Sequence, residues 1–257
     1  MRLIIFCIAL SPFLTLAQRN VQDSIIGTPL VGVHYGAMWS GGDLADRYTF
    51  FNHVGIMAGY KSNRNVFLGM DANFMFGNQI NADEPTDEFY GLFDHLTDSY
   101  GNITDANGDI AKVLVYSRGI NINATVGYII PVFSPNKNSG VMIQIGAGYL
   151  AHKLRVETQD QVVPQLELDY KRGYDRLTIG PNLHEFLGYS FMANGGYYNF
   201  YGGFYAQQGF TQNRRDQNYD KPNVPVSQDT RMDLQFGIKA GWFIPFYKRQ
   251  PKDYYFD

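Results

Sequence analysis

The chain has 257 residues, with 24 acidic and 21 basic side chains and a formal net charge of −3, so the charge balance gives no sign of nucleic-acid binding. It has 19 tyrosines, 19 phenylalanines and 27 glycines but only 18% charged residues. This composition is unusual for a soluble enzyme and typical of a membrane barrel with aromatic girdles and a crowded inner wall. The single cysteine, Cys7, excludes a disulfide scaffold.

The first residues predict an export signal. Arg2 is followed by an apolar run that ends at Leu16, and Ala17 closes the segment. A basic start, a short apolar core and a small final residue are typical of a secretory signal peptide, and the run is shorter than the ~20 residues of a membrane-spanning helix. We therefore assign residues 1–17 to a signal peptide and residues 18–29 to a periplasmic segment. No cysteine follows the predicted cut, so we expect no lipid anchor there.

Eight later segments alternate between apolar and small or polar residues. We predict strands at 30–39, 50–60, 65–76, 113–130, 140–155, 177–191, 197–211 and 231–246. In the third segment, one face is formed by Val66, Leu68, Met70, Ala72, Phe74 and Phe76. Because successive side chains of a strand point to opposite faces, each segment has one apolar wall and one polar wall.

The strand lengths and connections favour a membrane barrel over a soluble one. The strands have about 10 residues or more, enough to cross a bilayer at a tilt, and an even number of strands can close without an unpaired edge in lipid. Short connections alternate with long ones, which is typical of outer-membrane barrels. The fold class predicted is therefore all-β, an eight-stranded antiparallel transmembrane up-and-down barrel over residues 30–247. A lipocalin-like soluble barrel is the alternative.

This plan predicts an orientation in the cell outer membrane. The four long connections should face outward, and residues 248–257 should form a periplasmic tail. Aromatic residues on the apolar parity lie near strand ends, as expected at the membrane–water interfaces. They are Trp39, Tyr60, Phe76, Tyr116, Tyr128, Tyr189, Phe191, Tyr198, Phe210, Trp242 and Phe246.

The opposite parity carries polar residues that should line the barrel interior. The main ones are His34, His53, Asp71, Asn73, Asn121, Asn123, Gln144, His184, Asp233 and Lys239. Eight strands enclose a space that side chains can fill, so we interpret these residues as a packed polar network. We expect no catalytic residue, no metal and no cofactor, because no ligand spacing singles out the histidines. A lipid-modifying enzyme is the third alternative for function.

The second long connection, residues 77–112, predicts a short amphipathic helix. Phe89, Leu92, Phe93 and Leu96 recur at helical spacing within an acidic stretch. The helix could be a lid that packs on the barrel rim, or its apolar face could dock a partner. The oxygen-rich residues 98–109 suit calcium, but their spacing matches no EF-hand loop, and ordinary turns explain such a stretch more often.

Glu185 breaks the pattern of the sixth strand. Both halves of that strand keep one parity, so Glu185 should point outward near the middle of the membrane, with Pro181 close to it. A carboxylate in lipid costs of order 1–3 kcal/mol or becomes neutral. Either paired irregularities turn Glu185 inward, or another protein covers this wall.

Two segments carry a family resemblance. Gly209–Arg215 and Gly241–Arg249 resemble small outer-membrane barrel proteins of Bacteroidota, and the general plan is similar to barrels of the OmpA/OmpX type. The resemblance covers nearly the whole mature chain. It implies a possible role in type nine secretion or in barrel assembly, and it assigns no catalytic residue.

These observations lead to one functional hypothesis and its alternatives. We expect a non-enzymatic accessory or anchoring subunit of a larger outer-membrane complex, in contact with membrane lipid, lipopolysaccharide and envelope protein partners. A free-standing surface barrel for adhesion or stress resistance is the second possibility.

Overall fold

A computed structural model describes residues 24–193 and 198–246 and contains the eight expected strands. They are β1 (Thr28–Gly42), β2 (Phe50–Lys61), β3 (Val66–Gly77), β4 (Leu114–Ile130), β5 (Gly140–Glu157), β6 (Thr178–Met192), β7 (Asn199–Asn213) and β8 (Arg231–Pro245). No helix in the described part of the chain is long and apolar enough to cross a membrane. The predicted signal peptide and the tail at 248–257 lie outside the described residues.

Each strand pairs antiparallel with the next, and β8 pairs with β1 to close the barrel. The predicted fold class is therefore confirmed. A row of paired residues that leaves β1 at Trp39 passes through each of the seven remaining strands and returns to β1 at Pro29. This stagger tilts the strands against the barrel axis, typically by about 35–45° in closed barrels.

Burial alternates along the strands as the sequence predicts. In β1, Leu30, His34 and Met38 are buried inside, whereas Val33 and Tyr35 are about half exposed outside. Similar exposed apolar side chains surround the barrel, with Ile56 at 62% and Leu68 at 58%. Such a surface would be unstable in water and is stable in hydrocarbon.

The connections differ between the two ends of the barrel. Residues 43–49, 78–113, 158–177 and 214–230 form what we call the long-loop end. The described connections at 62–65 and 131–139 form the short-loop end. At the short-loop end, Ile26 is buried and its carbonyl accepts a hydrogen bond from Lys61 Nζ at 3.1 Å. Lys61 Nζ also donates to Asn138 Oδ1 at 2.9 Å. The segment before β1 therefore covers this end.

The helix expected in the second long connection is only a 3₁₀ turn, Asp94–Leu96. The cause lies at Gly91, whose φ of +65° belongs to the left-handed region and cannot continue a right-handed helix. The residues at helical spacing are therefore arranged by a series of turns. Two further 3₁₀ segments, Pro164–Leu166 and Leu168–Gly173, lie in the third long connection.

Candidate functional site

Glu185 lies at the middle of β6 and points outward. Its cross-strand neighbours are Ile145 in β5 and Ala206 in β7. Both ladders keep one register on either side of it, so no bulge turns the side chain inward. The side chain is exposed on the outer wall, which excludes the alternative that irregularities place it in the interior.

The row of paired residues through Glu185 fixes its depth. The row contains Trp39, Phe236, Ala206, Glu185, Ile145, Val126, Leu68 and Tyr60. Aromatic residues stand at both ends, near opposite ends of the barrel, and Glu185 is three strands from Trp39 and four from Tyr60. The carboxylate is therefore far from both interfaces of the apolar wall.

Two apolar grooves flank Glu185 on the outer wall. The first, the Ala206 groove, has a volume of about 890 Å³ and is lined by Trp39, Phe204, Ala206, Phe236 and Ile238 together with Glu185. The second, the Ala147 groove, has a volume of about 650 Å³ and is lined by Leu68, Ala124, Val126, Ala147 and Leu183 together with Glu185. Small alanine side chains between large apolar ones produce both depressions. Glu185 thus forms part of the ridge between them.

The same wall has other irregular features. Pro181 is exposed beside this ridge, and the β6–β7 pairing is interrupted between Ile179 and Asn182, where proline has no N–H to donate. Gln208 also points outward, opposite Leu183. Glu185 makes no hydrogen bond or ion pair with any residue in the described ranges. An ionisable side chain at such a depth is costly in lipid and usually marks a functional site.

The barrel interior holds a connected polar network. His34 Nε2 lies 2.5 Å from Asn73 Oδ1, and Asn73 Nδ2 donates to Asp71 Oδ2 at 2.5 Å and to Asn121 Oδ1 at 2.6 Å. Lys239 Nζ donates to Asp71 Oδ2 at 3.2 Å. Asp71 is therefore the centre of the network.

Further residues extend this network. Asn123 Nδ2 donates to Asn121 Oδ1 at 3.3 Å, and Thr125 Oγ1 joins Asp71 to His184 Nε2. Tyr205, which the sequence did not single out, also belongs to the network. Its hydroxyl donates to Gln207 Oε1 at 2.7 Å, and its ring faces Lys239. Its position on the inward parity of β7 was the sequence signal that could have placed it in the interior.

Three of the predicted interior residues lie outside this network. Asp233 accepts hydrogen bonds from Thr211 and His152 in a separate cluster towards the long-loop end. The His53 ring packs between the rings of Phe51 and Tyr205. Gln144 is half-buried beside an opening of about 10 Å³ among the interior side chains, which is room for about one water molecule at most. The interior is packed and has no room for a channel at this level.

A buried ion cluster closes the long-loop end. The Arg47 side chain is completely buried, and its Nε and Nη2 donate to the Glu88 carboxylate at 2.6 and 2.8 Å. Arg231 and Arg176 also face Glu88, at 3.2 and 3.7 Å. Arg47 further donates to the carbonyl of Arg176 at 3.0 Å, which links the first, second and third long connections. We call this arrangement the Arg47 cap.

The Arg47 cap should depend on pH through Glu88. Burial would raise the pKa of Glu88, but the guanidinium groups of Arg47, Arg231 and Arg176 outweigh it and hold the pKa below its ordinary value of 4.5. A carboxylate with a depressed pKa stabilises the folded state above its unfolded pKa, and this contribution is lost as pH falls through the folded pKa. We expect amide exchange in residues 78–113, corrected for its intrinsic pH dependence, to be slow at neutral pH and faster below about pH 4. Equal protection at both pH values, or an unchanged response in Glu88→Gln, would contradict this assignment.

The apolar residues proposed for docking in the second connection pack against the chain itself. Phe89 and Leu92 are buried, and Phe93 and Leu96 are partly buried against the same core. This arrangement is the lid on the barrel rim that the sequence left open as the alternative to a docking face.

The oxygen-rich residues of this connection form ordinary turns. Asp98 Oδ1 accepts the N–H groups of Tyr100 and Asn102, and Asp105 Oδ1 accepts those of Asn107 and Asp109. Across the described ranges, no three His, Cys, Asp or Glu residues are grouped to hold a metal ion. The histidines on the strands are all buried in the interior, and His95 in the second connection lies 2.8 Å from the Tyr174 hydroxyl.

No protein-family model matches the sequence, and no curated protein matches it. Solved structures show a distant likeness. Ail of Yersinia pestis, in complex with the heparin analogue sucrose octasulfate, has 10% identity and a TM-score of 0.41, with 85% of this chain and 99% of that chain covered. The N-terminal barrel domain of Pseudomonas aeruginosa OprF has 10% identity and a TM-score of 0.36, over 84% and 100%. A major outer membrane protein of Thermus thermophilus has 13% identity and a TM-score of 0.42, over 84% and 99%.

Likeness at this level says nothing about the ligand or activity of this chain. The barrel wall is more informative. Its closed hydrogen-bond ladder, apolar exterior and polar interior are what hydrocarbon requires of a sheet that spans it. The protein is therefore an eight-stranded β-barrel of the outer membrane.

Proposed function

We propose that this barrel is a non-enzymatic accessory or anchoring subunit of a larger outer-membrane complex, of the kind that serves protein export or barrel assembly. The observation that carries the proposal is Glu185, a carboxylate at the middle of the apolar wall that makes no hydrogen bond or ion pair with a described residue. The packed interior and the Arg47 cap favour a role at the outer surface of the barrel over a role as a pore.

The chemistry of the wall favours a protein as the occupant. Acyl chains could fill the Ala206 and Ala147 grooves, but they have no donor for the Glu185 carboxylate. A membrane-embedded segment of another envelope protein can place apolar side chains in both grooves and present a hydrogen-bond donor or a cation to Glu185 between them. A polar group in hydrocarbon gains most when such a partner is supplied.

Replacing Glu185 by leucine should affect stability and assembly in opposite directions. In pure lipid, the isolated barrel should become more stable by about 1–2 kcal/mol, because a carboxyl group leaves the hydrocarbon. In cells, the same variant should lose stoichiometric envelope partners when it is purified in mild detergent. Urea unfolding in vesicles measures the first effect, and quantitative affinity purification measures the second.

Two variants serve as controls. Glu185→Gln keeps a hydrogen-bonding side chain and should retain part of the assembly, whereas Glu84→Leu removes an exposed loop carboxylate and should retain all of it. A wild-type barrel that purifies as a lone monomer would contradict the proposal and favour a free-standing surface barrel. Altered lipid A in a deletion strain would instead favour a lipid-modifying enzyme.

A further inference from the structure

A second surface feature, which we call the basic groove, lies on the outer wall at the long-loop end. It has a volume of about 540 Å³. Arg118 of β4 and Lys153 and Arg155 of β5 line it from the strands, and the third and fourth long connections contribute Lys171, Arg172 and Arg215. Strands and connections far apart in sequence therefore bring six cationic side chains to one place.

The carboxylates near the basic groove do not balance these cations. Asp175 binds Arg215 at 2.5 Å and lies 3.7 Å from Lys153, and Glu157 binds Arg155. Glu167 and Asp169 lie 3.7 and 3.4 Å from Lys171 and Arg172. Four carboxylates thus face six cations.

Arg118 is the cation in this set that forms no ion pair with a described residue. Its Nη1 donates to the Ser117 carbonyl at 2.8 Å, and its guanidinium lies 4.9 Å from the centre of the Tyr116 ring. Among the other cations, the Arg155 and Arg172 side chains are substantially exposed, at 53% and 67%. Exposed ion pairs contribute little to stability, so a more highly charged anion can replace the carboxylate in such a pair.

The position of the basic groove identifies the class of anion. Arg118 pairs across the sheet with Phe76 on one side and Lys153 on the other. The next outward residues towards the membrane centre on β3 and β4 are Phe74 and Ile120, and Phe74 itself lines the groove. The cations therefore lie immediately beyond the apolar belt, where the head group of a membrane lipid meets its acyl chains.

We propose that the basic groove binds the phosphate groups of a phosphorylated glycolipid of the outer leaflet, the lipid A part of lipopolysaccharide. Arginine and lysine form charge-assisted hydrogen bonds with phosphate, and the acyl chains would extend over Phe74 and Ile120. A soluble sulfated polysaccharide could use the same cations, but it would leave the apolar floor unused. The proposal relies on the long-loop end facing outward.

The acidic second connection would confine this binding to one side of the rim. Residues 78–111 contain no lysine or arginine, and exposed carboxylates such as Asp83 and Glu84 would repel phosphate.

The test compares two triple variants of the same charge change. One variant, Arg118→Gln/Lys153→Gln/Arg155→Gln, alters the basic groove. The control, Arg64→Gln/Lys112→Gln/Lys221→Gln, alters exposed cations elsewhere. Purified barrels are titrated in detergent with bisphosphorylated lipid A, with dephosphorylated lipid A and with a heparin saccharide. Retained heat-modifiable mobility in SDS gels shows that each variant is folded.

The dissociation constant of the groove variant for bisphosphorylated lipid A should rise by roughly tenfold or more. The control variant should bind bisphosphorylated lipid A like the wild type. Equal losses in both variants, equal binding of dephosphorylated lipid A, or tighter binding of heparin than of lipid A would each overturn the proposal. Glu185→Leu should leave lipid A binding unchanged, so this site and the proposed partner face can fail independently.

Discussion

Replacement of Arg47 by methionine is expected to open the long-loop end of the barrel. The change leaves Glu88 largely buried without its two short hydrogen bonds, and it removes the donor to the Arg176 carbonyl that links three connections. Removal of one partner from a buried ion pair typically destabilises by about 3–5 kcal/mol, and we expect the lower end of this range because Arg231 and Arg176 still face Glu88. Arg47 contacts the barrel strands only at their ends, at Thr178 of β6 and Asn213 of β7, so we expect local rather than global opening. Loops should be cleaved by protease much faster, while the strands stay protected.

The matched control for Arg47 is a cation of the same end that is not buried. Lys171 lies 3.7 Å from Glu167 and is partly exposed, and such pairs contribute about 0–1 kcal/mol. Lys171→Met should therefore leave loop cleavage almost unchanged. If Arg47→Met and Lys171→Met show the same protease sensitivity, the Arg47 cap is not what closes this end.

Replacement of Lys239 by methionine should destabilise the barrel wall itself. Asp71 and Lys239 are both nearly inaccessible inside the barrel, and the variant leaves the Asp71 carboxylate with the neutral donors Asn73 and Thr125 only. We expect a loss of about 3–5 kcal/mol in the free energy of unfolding. Urea unfolding of the barrel in lipid vesicles gives the measurement.

A double variant separates charge imbalance from lost packing. In Asp71→Asn/Lys239→Met no unpaired charge remains in this pair, and much of the loss should be recovered, because neutral replacements of buried pairs are often tolerated. The exposed change Lys153→Met should have little effect. A double variant that loses as much stability as Lys239→Met or more would show that Asp71 and Lys239 do not act as a pair.

The barrel could be predicted from sequence because its signal is local. In β3, Phe74 and Met75 alternate between lipid and interior as their spacing requires, and the same period recurs in every strand. Glu185 was placed outward by the same parity. The depth of Glu185 and the two grooves follow from the register between strands. That register connects Trp39 to Tyr60 through six intervening residues and is not encoded in any single segment.

The long connections could not be predicted in this way. Arg47 and Glu88 are 41 residues apart, and both lie in irregular backbone without any periodicity. The spacing of Phe89 and Leu92 resembled a helix, but the left-handed backbone at Gly91 interrupts it. The packing of that segment on the rim follows from tertiary contacts that local sequence does not specify.

The barrel is packed inside and closed at its long-loop end, so its outer wall is the surface on which we propose that it functions. The Glu185 ridge is the proposed site for a protein partner in the middle of the membrane, and the basic groove is the proposed site for lipid phosphate at its edge. The two sites lie at different depths, so one barrel could hold both a partner and the surrounding glycolipid.

The most direct test is a nitroxide scan along β6 in lipid vesicles. Cys7 is the only native cysteine and lies in the predicted signal peptide, so single cysteines can be introduced and labelled at each position from 179 to 187. We predict that labels at Ile179, Leu183, Glu185 and Leu187 are accessible to oxygen and shielded from an aqueous nickel complex, whereas labels at Asn182 and His184 are shielded from oxygen. A change of parity before position 185, or full aqueous access at that position, would contradict the placement of Glu185 on the lipid-facing wall.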